Sequence, residues 1–349
     1  ALLAYMPAHY GLYTTLMPPF IYMLLGTCYQ VSFGVTAIEA LFLGESVRGV
    51  LGDEIMHSED EVMVDQRVQF TLFLSMMVGI WHLIFKFFRL SFVSVLLADP
   101  VMSGFSTGGA FIIATSQLGG FLGISLENSE FLPETWIKAF EHIGDWNWVS
   151  IALGGTGLFL LKTMQILTKK YLKYPFPWQI IIVVLSIVVT SELQLDSKHD
   201  LKIIGEIPSG FPSTQIPTLP DIDGKTKSEL LSESIVPSFL VAMFVYVMTL
   251  SLGTFFAGKN GYKVEASQEL LAIGVANILS SFTQAFICSA SFSRTAVVNN
   301  IGGKTSFHNC IGVSLMILAV TTITAQLFLP PQNYSGSGGA QCSGSNDGI

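Results

Sequence analysis

Charge is what this sequence has least of. Only 12% of its 349 residues are charged, against about 25% in an ordinary soluble domain. A soluble chain of this length needs charge to cover its surface. This one needs lipid in place of water over much of its outside. Basic residues are the scarcer sign, 17 against 25 acids, for a net charge of -8. That excludes nucleic acid as a partner, because phosphate binding takes a basic face. Cysteine is scarce too. Cys28, Cys288, Cys310 and Cys342 form no CxxC pair, and three lie in or beside apolar segments. Neither a disulfide framework nor a zinc site is expected, and no other metal or cofactor. An initiator Met and a signal peptide are absent before Ala1. The chain reads as a fragment, with a processed start as the other reading.

What is present is hydrophobic length. A bilayer core about 30 Å thick takes about 20 mostly apolar residues per helix. The stretches 11–28, 68–88, 92–115, 147–167, 178–194, 234–257 and 307–329 meet that length. Two further apolar segments are short and broken. Cys28 to Gly44 contains Gly34 and Glu39, and Leu270 to Asn300 contains Gln284, several Ser residues and Arg294. Polar-interrupted segments of this kind point to a transporter's binding site. Backbone leaves the helix at membrane depth only where protein or a water-filled cavity satisfies it.

Basic residues cluster at Lys86 and Arg89, at Lys162, Lys169, Lys170 and Lys173, and at Lys259, Lys263 and Lys304. Acid-rich stretches 53–65 and 127–145 alternate with them. The positive-inside rule puts the basic clusters in the cytoplasm. The loop 195–232 then falls outside, and Pro208, Pro212, Pro217 and Pro220 make it irregular. From Pro330 the composition changes to Gly, Ser and Asn. The tail 330–349 is either disordered or an artefact of the gene model.

Arg294 lies within Cys288-Ser-Ala-Ser-Phe-Ser-Arg-Thr-Ala-Val297. An ionisable group at membrane depth is costly and faces a cavity or a partner. Hydroxyls and free N–H groups at a helix N-terminus bind anions, and Arg adds a permanent charge. The bland alternative is an Arg294 that snorkels to the surface beside Lys304. Ser32-Phe-Gly-Val-Thr-Ala37 echoes Ser291-Phe-Ser-Arg-Thr-Ala296. Inverted repeats set two such half-helices head to head at the midplane. Glu39 is a candidate for a coupled proton, or a paired structural carboxyl. Asp99 and the Gly-rich stretch after it read as helix packing. His82 reads as a hydrogen-bonded core residue, and Phe85 to Phe88 as lipid anchors.

These residues carry a resemblance to the sulfate permease (SulP) anion transporter family. The opening Ala1 to Thr14 resembles that family's junction between its first and second helices, and Pro18 to Thr27 continues it. Pro100 to Gly108 resembles its fifth helix, and Gly205 to Pro212 its extracellular loop. Lys259-Asn-Gly-Tyr-Lys-Val264, Gln268-Glu-Leu270, Ser293-Arg-Thr-Ala-Val297 and Gly302-Gly-Lys-Thr305 are the most specific stretches. The resemblance runs in order over about residues 1–328.

The resemblance implies an all-α membrane protein built from seven-plus-seven inverted repeats, with core and gate domains. Residues 1–329 would be the transport domain, from the end of the first helix to the eleventh. Two half-helices would face each other around the anion, with contacts at Thr36, Ala37, Phe292, Ser293 and Arg294. It implies secondary exchange of sulfate, chloride or bicarbonate by elevator-like movement. It also implies a multi-pass location, in the plasma membrane, and a homodimer at full length. Departures accompany it. Most of the first helix, the twelfth to fourteenth helices and the STAS domain are missing. Gly34-Val35 and Thr36 stand where many members have Gly-Pro and an aromatic. Met248 stands where some proton-coupled members carry Glu. A channel or voltage-sensing motor of the same fold, and a truncated product without transport, stay open. An intramembrane enzyme needs an acid–base or nucleophile pair at depth. His82 and Glu39 offer no evident one.

Overall fold

The computed structural model describes residues 1–58, 60–89, 104, 107–108, 111, 114–115, 117–124, 132–171, 176, 178–193, 212–222 and 224–318. Asp99, most of the Gly-rich stretch after it, Gly205 to Phe211 and the tail from 330 lie outside these residues.

Apolar length gives long helices where it was expected. Helix α5 spans Glu61–Phe87, α8 spans Trp148–Tyr171, α9 spans Trp178–Leu193 and α10 spans Lys227–Lys259. A capping box starts α10, with Thr226 and Glu229 bonding each other's backbone N–H groups. Among the described residues, α5, α8 (over Trp148–Thr168) and α10 are long and apolar enough to cross a membrane.

The expected span 11–28 is instead two short helices, α1 (Ala8–Tyr13) and α2 (Met17–Leu25). Pro18 and Pro19 lack the N–H that would continue a helix, so they start one. Just before them, the Thr14 and Thr15 hydroxyls donate to the Gly11 and Leu12 carbonyls at 2.6 Å. A second difference lies in the acid-rich stretch 127–145. It contains α7 (Leu132–Glu141), preceded by α6 (Leu118–Leu122). Thr135 and Ala139, one turn apart, are buried on one face of α7, while Trp136, Ile137 and Phe140 are exposed. Its acids sit among apolar residues at helical spacing, which a count of loop charge does not register.

The two broken segments share one plan. The first gives strand β1 (Phe33–Gly34) and helix α3 (Ala37–Leu51), with α4 (Asp53–His57) beyond. The second gives α11 (Ala266–Ser281), strand β2 (Ser289–Ala290) and α12 (Phe292–Asn300), with α13 (His308–Leu318) after it. Helices α2, α3, α5, α10 and α11 pack together around one apolar core. Gly79 and Gly274 let α5 and α11 touch. A Cβ on Gly79 would sit 2.8 Å from the Gly274 carbonyl oxygen, and one on Gly274 3.0 Å from that of Gly79. Small residues permit this close approach between membrane helices.

Candidate functional site

Each broken segment is extended just before its half-helix, and the two extended pieces pair. β1 and β2 run antiparallel, with Phe33 opposite Ala290 and Gly34 opposite Ser289. The Ser291 N–H adds a further bond to the Ser32 carbonyl at 3.1 Å. In an antiparallel pair the two chains leave by opposite ends. So α3 and α12 depart on opposite sides of one short ladder.

Neighbouring side chains hold this ladder in place. On the second strand, the Asn277 amide donates to the Cys288 carbonyl at 3.1 Å, and its oxygen accepts the Cys288 N–H at 2.8 Å. Thr249 of α10 accepts the Ala290 N–H at 3.2 Å. On the first strand, the Thr295 hydroxyl accepts the Ser32 N–H at 3.1 Å, and Asn309 bonds both Val31 and Phe33. Residues of α12 and α13 thus fix the stretch that leads into α3. Buried backbone at membrane depth needs such partners, because water is not there to supply them.

Further along, Glu269 ties the two halves of the chain together. Its carboxylate accepts from the Tyr22 hydroxyl at 2.8 Å and from the Thr27 N–H and hydroxyl, each at 2.6 Å. The Tyr22 ring stacks on Phe33 at 4.6 Å. His82 is fully buried, with Nδ1 2.7 Å from the Val78 carbonyl oxygen, as expected for a core residue.

The half-helix N-termini follow directly from the ladder. Thr36 precedes α3 and Ser291 precedes α12, and neither makes a side-chain cap bond. The first N–H groups of both helices are therefore left for another acceptor. Each end also carries about half a positive charge. Ala37, Phe292, Ser293 and Arg294 are exposed and Thr36 is half-buried. Arg294 reaches across to the other segment, and its Nη1 donates to the Val35 carbonyl at 3.3 Å. Gly34, at φ 149°, lies under the same guanidinium. A Cβ there would come 3.0 Å from Nη2. Arg294, Thr36 and Ala37 thus come from distant parts of the chain to one place. The arrangement offers backbone donors, hydroxyls and a fixed positive charge, which suits a small anion.

The sequence echo that drew attention to these segments is out of structural register. The echoed motifs lie 259 residues apart, while the helix starts at Ala37 and Phe292 lie 255 apart. Phe33 opens the strand just after Ser32, whereas Ser291 is the N-cap and Phe292 the first residue of the helix. The likeness in shape comes from the strand-to-helix plan, and the four matched letters do not carry it.

The match to known families decides the kinship. The sulfate permease family matches residues 1–334. The chain belongs to that family. Human pendrin is 29% identical over 342 residues, covering 93% of this chain and 43% of its own length. A sulfate transporter of Bubalus bubalis is 32% identical over 354 residues, covering 95% of this chain and 47% of its own. The chain thus spans about half the length of these relatives. The fold is that of murine Solute Carrier 26 family member A9, an anion transporter solved in the inward-facing state. The TM-score is 0.83 at 23% identity, over 94% of this chain and 54% of that one. Like its sulfate permease kin, the chain is a multi-pass membrane protein with the inverted-repeat fold.

Sequence reasoning missed the residues that build the site's frame. Asn277, Thr249 and Asn309 touch no exposed surface, and their only signal is polarity inside apolar helices. Glu269 stands in the Gln268-Glu-Leu270 motif, but nothing in the motif reveals that it bonds Tyr22 and Thr27.

Proposed function

We propose that this chain is the transport domain of a secondary active anion transporter, which exchanges sulfate, chloride or bicarbonate. The observation that carries the reading is Arg294 bonded to the Val35 carbonyl, between two uncapped half-helix N-termini. Backbone N–H groups at Ala37 and Phe292 and the Ser293 hydroxyl bind the anion. Thr36 lines the pocket, and Arg294 adds positive potential. No bond is made or broken.

Residues 1–329 form this domain, and 330–349 form a tail outside it. Movement of the ladder and its two half-helices as one body would carry the anion across, in the manner of an elevator. The hydrogen bonds from α10, α11, α12 and α13 support that rigidity. Kinship with a sulfate transporter and the fold of an anion transporter support the solute class. We place the protein in the plasma membrane, as a homodimer at full length.

The test is radiolabelled sulfate or chloride uptake by the full-length protein in proteoliposomes loaded with counter-anion. Arg294→Gln removes the fixed charge, and Ser293→Glu puts a like charge in the pocket. Each change is expected to lower uptake by about tenfold or more, the effect of about 1.4 kcal/mol. Uptake that is unchanged at normal membrane insertion removes both residues from the mechanism. Flux that persists without a counter-anion replaces the exchanger with a channel.

A further inference from the structure

One carboxyl sits where an anion pocket should not have one. Glu39 is the third residue of α3, in the first turn of the half-helix whose N-terminus is proposed to bind the anion. It is fully buried. Its Oε1 accepts from the Ser289 hydroxyl of β2, the residue opposite Gly34 in the ladder. Its Oε2 makes no hydrogen bond among the described residues, although Thr36 lies beside the carboxyl. The frame carboxyl Glu269 differs, with three donors on its two oxygens.

An ionised Glu39 would work against the site. It would cancel the charge of Arg294 and offset the positive end of α3. A carboxylate oxygen buried without a donor is also costly. Among the described residues, the groups around it give no second cation. From α12 the charged group is Arg294, and from the run into β2 the titratable one is the buried Cys288 thiol. The α10 residue that bonds β2 is uncharged Thr249. In α5, Arg67 is committed to the Ile55 and Met56 carbonyls and His82 to that of Val78. At the far end of α3, Arg48 pairs with Glu45 and Asp53, and Tyr5 bonds Glu45.

Resting on the anion reading above, we propose that Glu39 is a proton site linked to anion binding. As the anion enters, one proton moves from water to the free Oε2 of Glu39. The carboxylate becomes a neutral carboxyl, and the pocket holds the bound anion's own charge (one for chloride, two for sulfate) without Glu39's added to it. Linkage is reciprocal, so acid favours the anion and the anion favours the proton. Ser289 is the positioning residue, since its hydroxyl fixes the other oxygen. The two states share one fold and differ by one proton, so the ladder need not rearrange.

The experiment measures sulfate uptake by the full-length protein in proteoliposomes from about pH 5 to about pH 8. Apparent sulfate affinity should rise as pH falls, by about tenfold per unit wherever free Glu39 is ionised. Glu39→Gln, a neutral mimic, should flatten that slope, and Glu39→Asp should keep one. A native affinity that ignores pH overturns the proposal, as does a slope that survives Glu39→Gln. Should the Gln variant fail to insert, Ser289→Ala decides, because it keeps the carboxyl and removes its donor. A moved midpoint supports the assignment and an unmoved one refutes it. Absence of uptake by the native protein at every pH, with normal insertion, instead defeats the transport reading itself.

Discussion

Helices α5 and α8 are both apolar enough to cross a bilayer, and they use that property in opposite ways. In α5, 61% of the most apolar window is buried inside the protein, and in α8 none of it is. α5 lies on α11 through the Gly79–Gly274 contact and beside α3 and α10, and α10 and α11 carry supports of the ladder. α8 packs on α6 and α9 and leaves Leu158, Phe159 and Ile166 exposed. Hydrophobicity alone therefore does not separate a scaffold helix from one whose apolar face is left exposed in this chain. Lipid tails are as apolar as a core, so the distinguishing marks are small residues and buried polar groups. α5 and its neighbours have Gly79, Gly274, Asn277 and Glu269 at their contacts. A Cβ added at Gly155 in α8 would meet nothing within 4 Å.

The largest effect should come from the polar frame of the buried region. Glu269→Ala leaves the Tyr22 hydroxyl and the Thr27 N–H without their acceptor. Hydrogen bonds to a charged group are worth about 1.5–3 kcal/mol each, so a loss of about 3 kcal/mol or more is expected. Thermal unfolding in lipid nanodiscs reads it, and Glu269→Gln should recover part. A smaller loss should follow Gly79→Ala, whose Cβ meets the backbone of α11. Overpacking costs about 1–3 kcal/mol, and the same melt measures it. The smallest effect belongs to α8. Gly155→Ala should change stability by less than about 1 kcal/mol, and towards greater stability, since Ala is the better helix former. Equal losses at Gly79 and Gly155 would erase the distinction between the two helices.

Much of the fold was legible because apolar length is a strong signal. The spans read near 68–88, 147–167, 178–194 and 234–257 fall on α5, α8, α9 and α10. The two interrupted segments were legible for the complementary reason, that polar residues and glycine break an apolar run. The break between Tyr13 and Met17 was not, because apolar residues flank it and hide the prolines' effect. Pairing of Gly34 with Ser289 was out of reach as well. Two residues per strand leave no alternation to read, and the partners lie far apart in sequence. Arg294 stood out as a lone charge in an apolar stretch. Glu39 stood out in the same way, but its bond to Ser289 needed coordinates.

The central claim is that two half-helix ends share one anion, and sulfate protection of introduced thiols tests it most directly. Thr36→Cys and Ser293→Cys would be made separately, with the native Cys310 and Cys342 replaced by Ser. Each would be labelled by a charged thiol reagent over a range of sulfate concentrations. The account predicts that sulfate slows labelling at both positions with the same half-saturating concentration. Protection at one position and none at the other would contradict it.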